Sequence, residues 1–180
     1  SASGVQEIEA SAFVSPRWVP QLADAEQVFG RIERIPGVVY SALVPNEEGL
    51  HRALGAGIDK ISLFTAASET FTRKNIRTTL RGSLERFVPV LQLARRNGIP
   101  VRAYVSTAFW CPYEGEIPRG RVRDVVQQLL DLGVDEVAIA DTVGKASADE
   151  VRRLLEALLT DLPARKAAVH FHDTYGRAVD

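Results

Sequence analysis

The sequence predicts an α/β fold of the (β/α)8 TIM-type barrel class, here incomplete, with about six parallel strands and intervening helices. Three observations predict it. Short β-rich runs alternate with amphipathic helical stripes along the whole chain. Strand starts recur about every 32 residues, the size of a βα unit. Polar residues gather at the C-terminal ends of the strands, where barrel enzymes keep their chemistry. No Gly-rich phosphate fingerprint follows the first strand, as a dinucleotide fold would want. A full barrel needs about 250 residues. The 180 residues therefore read as one partial barrel domain over 1–180, short by about two units.

The candidate strands are 5–10, 38–44, 60–66, 101–107, 136–141 and 167–173. Between them lie stripes at helical spacing: Val28, Phe29, Ile32 and Ile35; then Leu50, Ala53 and Leu54; then Leu84, Phe87, Val88 and Leu91. Val122, Val125, Val126, Leu129 and Leu130 form a fourth stripe, and Val151, Leu154, Leu155, Leu158 and Leu159 a fifth. Ser147 and Glu150 have capping-box spacing ahead of the last helix. Gly57, Gly98 and Gly133 fall between a stripe and a strand, where a left-handed C-cap is expected.

Composition narrows the class. The chain is 46% hydrophobic and 25% charged with a formal net charge of -1, an ordinary globular balance. That charge gives no basic surface for nucleic acid. No apolar run approaches the roughly 20 residues needed to span a bilayer, so no membrane partner is expected. One cysteine, Cys111, excludes an internal disulfide framework and fits a reducing compartment. The chain has no methionine and begins Ser1-Ala2-Ser3-Gly4, and Asp180 follows a strand and turn directly; both ends are expected to be cuts in a longer polypeptide.

Chemistry concentrates in Val169-His170-Phe171-His172-Asp173-Thr174-Tyr175-Gly176. Residues two apart on a strand share a face, so His170 and His172 project side by side while Phe171 faces a packed layer. Two imidazoles aimed at one point make half of a metal site. Glu9 and Ser11, Asn46, Ser68 and Glu69, Ser106 and Asp141 stand at the ends of the earlier strands. Each alone also fits a loop cap, a reading that suits Asn46 and Ser106 best. Glu9 sits in the apolar Ile8-Glu9-Ala10, where an ionised carboxylate is costly without a partner, and Asp141 raises the same question. Two carboxylates facing two imidazoles point to general acid/base work beside a metal. Residues 68–77 read as a polar loop; Arg73, Lys74, Arg77 and Arg81 there fit either phosphates of a nucleotide-bearing substrate or a solvated surface. His51 reads as a surface residue of a helix, and Cys111 as structural.

Several stretches together resemble the 3-hydroxy-3-methylglutaryl-CoA lyase family. They are residues 11–24 (SAFVSPRWVPQLAD), Ala67-Ser68-Glu69, Lys74-Asn75, Cys111-Pro112-Tyr113-Glu114-Gly115, Asp141-Thr142-Val143-Gly144 and the His170–Gly176 run, in the family's order. The resemblance implies divalent-metal-dependent cleavage of 3-hydroxy-3-methylglutaryl-CoA to acetoacetate and acetyl-CoA, a step of leucine degradation and ketone-body metabolism. It implies Mg²⁺ or Mn²⁺ held by His170 and His172 with an aspartate and an asparagine from segments this chain lacks. Glu9, Asp141 and His170 become candidates for the catalytic base, and Ser11, Asn46, Ser68, Ser106 and Lys74 for substrate contacts. The partner implied is a small-molecule acyl-CoA, the assembly a homo-oligomer (a dimer), and the compartment the cytoplasm or the mitochondrial matrix.

The chain also departs from the family pattern. It lacks the first-strand Arg-Asp segment and the late Gly-rich loop with its cysteine; Cys111 belongs to a different segment, and Thr107 stands where the family often has a second cysteine. The 180 residues alone are therefore expected to turn over little or no substrate. Two other readings stay open at this point. One is a related metal-dependent aldolase or acyl-CoA lyase with a different substrate. The other is a non-catalytic partial barrel whose open edges bind a partner.

Overall fold

The structure is a computed structural model and describes residues 4–179. Ser1, Ala2, Ser3 and Asp180, the ends singled out above, lie outside the described residues. One six-stranded sheet runs in the order β1 (Glu7–Ala12), β2 (Val39–Leu43), β3 (Lys60–Ala66), β4 (Val101–Ser106), β7 (Glu136–Asp141) and β8 (Ala167–Phe171). Spatial order follows chain order, and β1 with β2, β2 with β3 and β7 with β8 pair in parallel. This is the α/β, incomplete-barrel class that the repeat predicts. The chain clusters into two compact units, residues 1–63 with 87–102, and residues 64–86 with 103–180.

In the first unit, β1, β2 and the start of β3 alternate with α1 (Ala25–Arg31) and α2 (Glu47–Gly55), joined by the second half of α4 (Leu80–Arg96). Phe13, Leu50, Ile61, Leu63 and Val90 are fully buried there, each worth about 1.5–3 kcal/mol relative to exposure. β1 starts and ends two residues later than the sequence predicts, and its register on β2 shifts between Glu9 and Ser11. One residue, Ala10, is thus left bulged, and bulges re-aim the side chains that follow. The α1 stripe overreaches: the helix stops at Arg31, and Ile35 is exposed. His51 is an exposed residue of α2.

The second unit holds α3 (Glu69–Ile76), α5 (Arg119–Leu132), α6 (Ala148–Leu158), most of β4, and β7 and β8 over a core of Val105, Leu129, Ile139, Leu154 and Leu158. The predicted capping box is present on α6, and Gly133 closes α5 in the left-handed region at φ 82°. One expectation needs correction. Residues 68–77 are not a loop: Ser68 caps α3 by accepting the Phe71 N–H, and Glu69 pairs with Arg73 one turn on. Local capping and charge order make this helix, whereas its apolar stripe is too thin to read. The segment after β4 folds into an antiparallel hairpin of β5 (Trp110–Cys111) and β6 (Gly115–Glu116), too short to show a period.

Candidate active site

In the second unit the site is built on the end of β8. The strand proper stops at Phe171, and the His172 N–H extends the ladder by one bond to the Asp141 carbonyl at 3.4 Å. His170 and His172 both face solvent, their Nε2 atoms 3.1 Å apart. The Tyr104 ring meets His170 edge-on at 5.5 Å between centroids. Ser106, two residues beyond Tyr104 on β4, shares that face, while its carbonyl accepts the Ala67 N–H and the Thr107 hydroxyl. Phe171 points the other way against Phe109, 6.4 Å between centroids.

Asp141 does not face the imidazoles as the sequence reading expects. The register pairs Ala140 with His170 and Asp141 with Phe171, and laterally paired residues leave a sheet on one face. The carboxylate is 4% exposed and accepts the N–H groups of Gly144 at 3.0 Å and Ala146 at 2.8 Å. Both oxygens thus organise the turn that follows the strand. Gly144 lies at φ 71°, and a Cβ there would stand 2.4 Å from the His172 carbonyl and 2.7 Å from Thr174 Oγ1. The turn and the His-bearing segment are in direct contact, and only glycine fits between them.

Ser68 is buried in a second cluster. Its hydroxyl donates to Glu114 Oε1 at 2.8 Å and accepts the Cys111 thiol at 3.0 Å. Glu114 also accepts the Thr70 N–H and the Arg121 guanidinium. Burial alone would push the Glu114 carboxyl up; the hydrogen bonds from Thr70, Ser68 and Arg121 outweigh it and lower it to about 2. This cluster ties the hairpin to the first turn of α3. Lys74 lies with its Nζ 4.2 Å from the centre of the exposed Tyr113 ring, while Arg73 and Arg81 are paired with Glu69 and Glu85.

In the first unit Glu9 is exposed, which corrects the expectation of a buried strand carboxylate: β1 ends the sheet order, so solvent reaches it. Its Oε2 accepts the Ser62 hydroxyl at 2.6 Å. The half-buried acid is Glu7, two residues earlier on the same face, which accepts Lys60 at 2.9 Å, Arg102 at 3.0 Å and Ser41 at 3.2 Å. Strand alternation from Glu9 was the signal that would have found it. Ser11 Oγ is buried and has no hydrogen-bond partner among the described residues. Asn46 caps α2 by accepting the Gly49 N–H at 2.8 Å, the bland alternative weighed for it.

Among the described residues no three His, Cys, Asp or Glu side chains are grouped to hold a metal. The histidine pair nevertheless fits two positions of one shell. Nitrogens each about 2.1 Å from an ion, at right angles around it, lie about 3.0 Å apart, close to the separation seen. A hard cation would draw its remaining ligands from oxygen donors.

The parallel βα sheet defines a partial (β/α) barrel with a histidine pair at the end of one strand. The chain belongs to the HMGL-like family, whose model matches residues 1–180, and that family is generally metal-dependent. It is 45% identical over 99% of its length to a Pseudomonas aeruginosa protein named 3-hydroxy-3-isohexenylglutaryl-CoA/hydroxy-methylglutaryl-CoA lyase, of which it covers 60%. A crystal structure of the HMG-CoA lyase from Brucella melitensis matches with a TM-score of 0.93 at 46% identity, over 97% of this chain and 62% of that one. An Acinetobacter HMG-CoA lyase solved with coenzyme A and 3-methylmalate matches with a TM-score of 0.89 at 34% identity, over 95% of this chain and 56% of that one. The chain thus spans between 48% and 60% of the length of the curated relatives it matches here.

Proposed function

We propose that this chain is the central portion of a hydroxymethylglutaryl-CoA lyase, cleaving 3-hydroxy-3-methylglutaryl-CoA to acetoacetate and acetyl-CoA as one partial barrel domain of a longer polypeptide. The single observation that carries the reading is the His170–His172 pair, two nitrogens 3.1 Å apart at a strand end, in a chain of this family. Its relatives' names supply the substrate, and the coenzyme A complex of one of them supports an acyl-CoA.

His170 and His172 are the residues assigned to hold Mg²⁺ or Mn²⁺. When bound, that cation supplies Lewis acidity toward substrate oxygens and a template for their orientation. Glu9 is the assigned base: it is accessible, and the Ser62 hydroxyl orients its carboxylate. It takes the proton of the tertiary hydroxyl; the alkoxide collapses to the ketone of acetoacetate as the carbon–carbon bond breaks. The bond's electron pair passes to the thioester enolate, which takes a proton to give acetyl-CoA. Asp141 holds the turn beneath His172 rather than moving a proton. Ser11, whose buried hydroxyl has no hydrogen-bond partner among the described residues, and Ser106, on the Tyr104 face, are assigned to substrate, and Lys74 to acyl-CoA phosphate. Asn46 and Ser68 act through the helices they cap.

Relatives carry both mitochondrial and cytoplasmic names, and the cytoplasm or the mitochondrial matrix is the proposed compartment. A homodimer is the proposed assembly, tested by mass in solution. One relative's name includes an isohexenyl substrate, which favours including longer 3-alkyl analogues beside the methyl compound. The deciding experiment incubates the full-length protein with Mg²⁺ and 3-hydroxy-3-methylglutaryl-CoA. Acetyl-CoA release that chelator abolishes is expected; no release from this or the longer analogues would overturn the reading.

A further inference from the structure

Thr107 follows β4 at φ 52°, a left-handed conformation that is an outlier for a β-branched residue. It is fully buried. Its N–H donates to Thr142 Oγ1 at 2.8 Å, its own hydroxyl donates to the Ser106 carbonyl at 2.7 Å, and the next N–H, of Ala108, donates to the Ala140 carbonyl at 3.1 Å. Such a backbone persists only where its surroundings over-determine it, and such residues cluster at functional sites.

The partners here lead in one direction. Thr142 directly follows Asp141, whose carboxylate holds Gly144 and Ala146. Gly144 packs against the His172 carbonyl too closely for any side chain. Contiguous contacts therefore run from the end of β4, through the turn after β7, to the segment that carries the histidine pair.

We propose that Thr107 is a positioning residue: its left-handed turn fixes Thr142 and the turn held by Asp141, and through Gly144 sets the place of His172. The proposal rests on the reading of the histidine pair given above. Thr107 touches no substrate; it acts through the backbone it clamps.

The test uses the full-length protein and Thr142→Val, which keeps the volume and removes only the hydroxyl that Thr107 engages. The expected result is a kcat lowered at least about tenfold with KM within about twofold, as displaced catalytic geometry gives. The ring resonances of His172 should shift in the metal-free protein, a readout that a merely structural role would leave in place. Thr142→Ser, which restores the hydroxyl, should return both. Thr107→Gly, which tolerates the same φ without strain and frees the turn, should lower kcat in the same direction should the valine variant fold poorly. A lowered melting temperature with kcat and His172 resonances unchanged would overturn the proposal. If the wild type releases no acetyl-CoA, the proposed reaction fails, and the His172 resonances alone still decide whether Thr107 positions it.

Discussion

Glu9 on β1 lies open to solvent with one oxygen accepting the Ser62 hydroxyl, whereas Asp141 at the end of β7 is buried with both oxygens accepting amides of its own turn. The sequence puts each near the C-terminal end of a barrel strand, and by position alone the two look alike. Their surroundings separate them. A buried carboxylate whose oxygens accept backbone N–H groups shapes a turn; one that solvent reaches is accessible to a substrate. Strand-end position selects candidates, and the partners of the oxygens assign the role.

Substitution of the two acids in the full-length protein breaks or sharpens this contrast. Glu9→Gln should reduce turnover by about 10²- to 10⁴-fold, the range for loss of a general base, with stability within about 0.5 kcal/mol of wild type. Steady-state kinetics and urea denaturation check both halves, and a stability loss without a kinetic one would reverse the assignment. Asp141→Ala should do the opposite in emphasis. Leaving two buried N–H groups without acceptors costs about 1–3 kcal/mol each, so unfolding should move well before any comparable loss of base chemistry.

A third expected effect comes from Glu114, an acid that sequence reading passed over. Its pKa of about 2 lies below the ordinary 4.5, so its contribution is fully present above about pH 4.5 and is lost as pH falls toward 2. That contribution is on the order of 3 kcal/mol at neutral pH. Glu114→Gln should therefore be less stable than wild type at pH 7, by urea denaturation, with the gap narrowing toward pH 3. A gap that stays constant with pH would remove the linkage. The smallest effect is expected at Lys74→Ala: a few-fold rise in KM for the acyl-CoA that fades with added salt, as a surface charge contact does.

The strand–helix order, the capping box on α6 and the pairing of His170 with His172 were legible because each is a local pattern of fixed spacing. The helix α3 was not. Its sequence signals are the Ser68 cap and the Glu69–Arg73 spacing rather than an apolar stripe. Glu7 was missed although it shares a face with Glu9, since its partners Lys60 and Arg102 lie 53 and 95 residues away. The face that Asp141 takes depends on which residue of β8 it pairs with, and that register is set by packing. Thr107 gave no signal at all: a left-handed φ at a threonine is imposed by tertiary contacts against the residue's own preference.

The measurement that bears most directly on the account is the crystal structure of the full-length protein grown with Mn²⁺, read by anomalous scattering. One ion within bonding distance of Nε2 of both His170 and His172 is the predicted result. An ion elsewhere, or one that touches neither imidazole, would contradict it.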